Sequence, residues 1–123
     1  MTTNVTAEQA AHSLAARLDM PALVRALQEV LGQRMVAVIA GVSDVKAVGK
    51  WARGERTPHP ETAQRLRVAF HVVQILLQQE SAETIRMWFG GMNPDLDDRP
   101  PALVLAENPQ HVLQAARAFL AYG

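Results

Sequence analysis

Within a stretch of fourteen residues, Ser43, Lys46, Lys50, Arg53 and Arg56 offer four cations and a hydroxyl. Written on a helix, Lys46, Gly49, Lys50 and Arg53 recur at i, i+3, i+4 and i+7 and share one face. Val45, Val48 and Ala52 fall on another face and can pack back on the chain. One helix thus has an apolar inner side and a cationic outer side, flanked by Arg56. Such a face suits a nucleic acid: Lys and Arg donate to phosphate oxygens and to guanine acceptors, and a rigid helix holds the register in the major groove. Gly49 brings no donor, which favours backbone contact over base reading. Trp51 is expected as a buried wedge. A second reading stays open, in which the seven cations between Arg34 and Arg67 form a solvated face.

A different chemistry gathers between Gly90 and Pro101, where Asn93, Asp95, Asp97, Asp98 and Arg99 lie in a loop stiffened by Pro94, Pro100 and Pro101. Leu96 and Leu103 are expected to pin that loop onto Trp88 and Phe119, with the chain end at Tyr122 and Gly123 nearby. A loop so held presents its charges to a partner with little ordering entropy left to lose. A solvated acidic loop on a capping subdomain is the alternative. Calcium is excluded, because position six of the alternating acidic run is Asp98 where a calcium loop needs Gly, and position twelve is Val104 where it needs a carboxylate. His12, His59, His71 and His111 lack metal-ligand spacing. There is no cysteine, so disulfides and thiolate sites are excluded. No metal, no cofactor and no enzymatic activity are expected.

These groups need scaffolding, and almost the whole chain reads helical. With 123 residues, 49% hydrophobic and 20% charged, it is sized for one domain, or two small ones sharing a core. Thr6 with Gln9 suggests a cap for a first helix with Ala10, Leu14 and Leu18 as its stripe. Asp19 and Pro21 open a second, with Leu23, Leu27, Val30 and Leu31 on one face and Gly32 ending it. Short helices are expected from about Arg34 to Ala40 and from about Asp44 to Arg53, separated by Gly41. A long helix runs from near Pro60 to about Gln79. Ser81 caps another to Phe89, a short turn surrounds Leu103–Ala106, and a last helix covers about Pro109 to Ala121. From Val68 to Leu77 eight of ten residues are apolar all round the helix, so it must be covered on several sides. His71 within it is expected as a satisfied core or interface histidine.

Twelve basic residues balance twelve acidic ones, which excludes a uniformly basic coat. Split along the chain, residues 1–33 carry −1, residues 34–67 carry +4 and residues 68–123 carry −3. A basic middle and an acidic end point to two surfaces with different partners. No signal peptide or bilayer-length apolar run is readable, so a soluble, cytoplasmic protein is expected. The division is an N-terminal helical extension over 1–32, a basic helical region over 33–67 and a C-terminal part over 68–123.

Residues 33–70 resemble the Xre-type helix-turn-helix of bacterial and phage repressors. The resemblance rests on Gly41-Val42-Ser43, Val48, Trp51, Gly54, Pro58 and Arg65-Leu66, with one extra residue between the turn glycine and the glycine after the second helix. Residues 70–123 resemble the toxin-binding domain of Xre/MbcA/ParS-type antitoxins through Trp88, Asn93-Pro94-Asp95-Leu96, Pro101-Ala102-Leu103-Val104-Leu105, and Val112, Ala116, Phe119, Leu120 and Gly123. Together they imply an all-α fold in which a helix-turn-helix bundle shares a long helix with a small helical C-terminal domain. They further imply an antitoxin of a type II toxin–antitoxin system. It would neutralise a RES-domain toxin, an enzyme that consumes NAD, and bind operator DNA through Ser43, Lys46, Lys50, Arg53 and Arg56. Toxin contact would fall to Asn93, Asp95, Asp97, Asp98, Arg99, Tyr122 and Gly123. A two-fold operator implies a homodimer, expected around Phe70, Val73 and Leu77 or through the N-terminal helices. Two other readings stay open: a transcription regulator without a toxin, whose C-terminal part dimerises, and an interaction module whose basic face never meets DNA.

Overall fold

The computed structural model describes residues 2–122, with side chains from Ala7 onward. The described residues form an all-α bundle. Its helices are α1 (Thr2–Arg17), α2 (Met20–Leu31), α3 (Gln33–Ala40), α4 (Lys46–Ala52), α5 (Pro60–Leu76), α6 (Ala82–Gly90), α7 (Pro101–Val104) and α8 (Pro109–Tyr122), with one 3-10 turn at Pro94–Leu96. Local chemistry sets several boundaries. The Asp19 carboxylate accepts from the Ala22 N–H at 2.9 Å, with Pro21 in the first turn of α2. Ser81 does the same for α6 through the Thr84 N–H at 3.2 Å. Gly41 closes α3 in the left-handed region at φ +75°. A Cβ there would also lie 3.1 Å from the Arg65 guanidinium, so glycine is needed twice over.

Three expectations about the scaffold are corrected. Helix α1 begins before Thr6, and its buried residues are Ala11 and Ala15; Ala10 faces solvent while Leu14 and Leu18 are half-buried. The long helix ends at Leu76, and its last carbonyls close in a turn that reaches Glu80. Phe70 and Val73 do not await a partner subunit: α5 packs against α1, α2, α3 and α8, which bury both. Of the proposed shared surface only Leu77, 38% exposed, reaches solvent. Buried residues from every α-helix join one continuous core, so the N-terminal helices extend that core. None of the helices described is long and apolar enough to cross a membrane.

Four arginines tie this bundle together at its helix ends. The last carbonyls of a helix have no partner within it and carry the negative end of its dipole. Arg67 donates to the carbonyls of Ala15 and Leu18 at the end of α1, at 2.7 and 2.9 Å. Arg86 reaches Val30 near the end of α2 at 2.9 Å. Arg65 reaches Ala40, the last residue of α3, at 2.8 Å, and Arg25 reaches Ala52, the last of α4, at 2.7 Å. Each guanidinium therefore caps a helix other than its own. Replacing Arg65 with Met keeps the aliphatic stem and removes the donor. It should lower stability to urea by about 1–2 kcal/mol, the lower part of the range for a charged donor because Arg65 is only half-buried. Lys50→Met, on an exposed site, should leave the midpoint unchanged.

Between α1, α5 and α8 lies an open groove of about 1020 Å³, with His12, Gln64, Arg67 and His71 among its lining residues. His71 is 9% exposed, its ring centroid 5.4 Å from that of His12, and its Nε2 has no partner within the described residues. Burial pushes the His71 imidazole below its ordinary value and neighbouring His12 adds to the effect; Glu8 opposes it and Arg117 reinforces it. The unfolded chain thus takes up this proton near pH 6.5, and the folded chain only at lower pH. Acidification below about 6.5 therefore favours the unfolded state, until both forms are protonated. The melting temperature should fall over that interval, and His71→Leu should flatten the fall.

Candidate nucleic-acid interface and acidic loop

The basic region is built from α3, a turn over residues 41–45, and α4. Asp44, not Ser43, organises the start of α4: its carboxylate accepts from the Lys46 N–H at 3.0 Å. Residues 44 and 45 wind as tighter i to i+3 turns, which is why α4 starts later than the periodicity predicts. Ala47, Val48, Trp51 and Ala52 are buried, and α4 packs on both α2 and α3. Trp51 is therefore core. Its indole Nε1 lacks a partner among the described residues, a cost that its buried area must offset.

The seven cations of this region divide by what they do. Arg65 and Arg67 are inside, holding the ends of α3 and α1. Arg53 is exposed but engaged, its Nε and Nη2 donating to the Glu55 carboxylate at 2.8 and 3.3 Å. Those hydrogen bonds, with the charge of Arg53 and a smaller contribution from Lys50, hold Glu55 below the usual carboxylate range. Arg34, Lys46, Lys50 and Arg56 are exposed, and their side chains enter no hydrogen bond or ion pair among the described residues. Ser43 is exposed beside them. Gly49 differs from the helical-wheel expectation. It is buried, covered by the side chains of Gln33 and Arg53. Periodicity could not reveal Gln33, because it comes from another helix, where its amide donates to the Val45 carbonyl at 3.1 Å.

The acidic loop is held from within. Asn93 is 8% exposed; its side chain accepts from the Asp95 N–H at 2.9 Å, and its carbonyl accepts from the Leu96 and Asp98 N–H groups, each at 2.9 Å. Asn93 thus shapes the loop, and its side chain is turned into it and buried. Leu96 is buried, as expected. Leu103 is 49% exposed and pins nothing; Ala102, Val104 and Leu105 turn inward in its place, because a four-residue helix has no period long enough to read. Trp88 is half-buried, edge-on to Phe89 at 5.2 Å and tilted to Phe119 at 6.3 Å. Arg99 is stapled to Glu107 by hydrogen bonds of 2.7 and 2.6 Å, which hold that carboxyl below its ordinary range. What the loop offers outward is Asp95, Asp97 and Asp98, all exposed. Tyr122, 92% exposed, ends α8, a helix that also packs against the 3-10 turn. Gly123 lies outside the described residues.

Comparison with known protein families, with curated proteins and with solved structures returned no match to this chain. The loop's strain is its most specific local signature. Asp97 and Asp98 take positive φ values of 57° and 61°, a conformation that Asp tolerates and β-branched residues resist. Asp97→Val should therefore cost about 1–2 kcal/mol in thermal or urea unfolding, whereas Asp97→Gly should cost nothing or stabilise slightly.

Proposed function

We propose that this chain is the antitoxin of a type II toxin–antitoxin system: one surface binds operator DNA and another binds and blocks a RES-domain, NAD-consuming toxin. The observation that carries the reading is the presence of two exposed charge sets of opposite sign on one bundle, neither of them paired among the described residues. Arg34, Lys46, Lys50 and Arg56 form the cationic set, on and around two short helices joined at a left-handed glycine. Asp95, Asp97 and Asp98 form the anionic set, on a loop whose backbone is already ordered. Phosphate contact needs the first kind of surface. A toxin cleft that attracts a dinucleotide's phosphates is positively charged, and an acidic plug complements it. Arg53 joins the cationic set through its free Nη1 edge, its other edge being held by Glu55.

A two-fold operator calls for a homodimer, and Phe70 and Val73 do not supply its surface, because the chain already buries them. A regulator with a C-terminal part that only dimerises is the runner-up. The two readings part in a single co-expression experiment, with the toxin gene adjoining this reading frame and a reporter driven by the upstream DNA. Lys46→Ala with Lys50→Ala should lose repression and keep growth rescue. Asp95→Asn, Asp97→Asn and Asp98→Asn together should lose rescue and keep repression, since Asn tolerates positive φ as Asp does. Full rescue by the triple variant would remove the loop from toxin binding, and full repression by the lysine variant would remove this face from DNA binding.

A further inference from the structure

Gly49 lies within the exposed cationic face of α4 and is itself buried, and its cover consists of two polar side-chain ends. A Cβ on Gly49 would lie 3.1 Å from Gln33 Nε2 and 3.2 Å from Arg53 Nη1. The ends of two side chains, one from α3 and one from the end of α4, thus both lie over the same point, and a Cβ there would have to push them aside. Each is held in place. Gln33 Nε2 donates to the Val45 carbonyl at 3.1 Å, which leaves its Oε1 as an uncommitted acceptor among the described residues. Glu55 accepts hydrogen bonds from Arg53 Nε and Nη2 at 2.8 and 3.3 Å, which leaves Nη1 as an uncommitted donor among the described residues. Both side chains are exposed to an incoming ligand, and Lys46 and Lys50 flank them on the same helix face.

We propose that Gln33 and Arg53 act as one recognition element across Gly49 and select a G·C pair in the major groove. This rests on the DNA-binding reading above and assigns its specificity. Guanine presents N7 and O6 as acceptors, and its paired cytosine presents the N4 amine as a donor. A guanidinium edge satisfies the first two and an amide oxygen beside it satisfies the third. An A·T pair sets the adenine N6 amine against the guanidinium, donor against donor, and leaves both unpaired. Because both side chains are held before binding, little ordering entropy opposes the contact. Glycine at position 49 is then what the element requires, and the donor missing from α4 is supplied by α3.

The test uses the full chain and a pool of duplexes of about 20 base pairs with randomised sequence, selected at about 50 mM salt where phosphate contacts hold non-specific complexes. The wild-type chain should enrich a G·C pair at one fixed position of each half-site. Gln33→Ala and Gly49→Ala should bind the unselected pool as the wild type does, with the same salt dependence. Their preference at that position should fall by about five- to a hundredfold, the discrimination expected of one good base-edge contact. Gly49→Ala puts a better helix former into α4, and the two side-chain ends it displaces are exposed and can shift into solvent, so it stays folded by circular dichroism. Lys50→Ala should instead weaken binding to every sequence and leave the preference intact. Retention of the G·C preference by either Gln33→Ala or Gly49→Ala, or wild-type enrichment of A·T at that position, would overturn the proposal while leaving DNA binding standing. No binding of the pool by the wild type would overturn the DNA-binding reading, and this element with it.

Discussion

The bundle depends on guanidinium groups seated on the C-terminal carbonyls of helices that are not their own. Eight short or middle-length helices expose many unpaired carbonyls, and a chain of this size has few polar groups to spare for them. Arg25, Arg65, Arg67 and Arg86 each donate to main-chain oxygens of a different helix, covering the ends of α4, α3, α1 and α2 in turn. Arg67 serves two such oxygens at once, both through its Nη1, whose two N–H groups point to different carbonyls. The same guanidinium that ends α3 passes close over Gly41, so the sharp entry into α4 and the capping of α3 are one arrangement.

That arrangement also decides what the surface can do. Arginines that read as part of a basic face are withdrawn from it, and the remaining cations are fewer but concentrated. Arg34, Lys46, Lys50 and Arg56 meet solvent without a neutralising neighbour among the described residues, while Arg53 is oriented by Glu55. In the acidic loop Arg99 is drawn back to Glu107, so the carboxylates of Asp95, Asp97 and Asp98 dominate it. Charge is thus sorted by pairing, and the net neutrality of the chain conceals two exposed sets of opposite sign.

What could be read from the sequence follows the range of the interaction responsible. Asp19 with Pro21, Ser81 and Gly41 act on amides or torsions within three residues, and helices α2, α6 and α3 begin or end where those residues say. The inward side of α4 was equally legible, because Val48 and Ala52 repeat at helical spacing. The stripe of α1 was misplaced because a run of alanines offers no contrast between Ala10 and Ala11; only the docking on α5 chooses. The helix-capping arginines were invisible for a different reason. Their partners are backbone oxygens 25 to 56 residues away, which any amino acid provides. Gln33, whose partner is the Val45 carbonyl, was hidden in the same way, and the Arg99–Glu107 pair because its side chains come from different segments, with no helical period linking them.

The order of these partners along the chain bears on how the protein is made. Arg25 leaves the ribosome before α4, so the cap of that helix is waiting when the helix appears. Helix α1 has only Arg17, on the Ser13 carbonyl, until Arg67 has emerged, and α2 gains its arginine cap when Arg86 follows. A nascent chain halted before those positions carries two helices with frayed ends and an uncovered apolar side. Domains generally settle from the N-terminus during synthesis. Here α1 and α2, the first helices made, are instead completed by arginines from the second half of the chain.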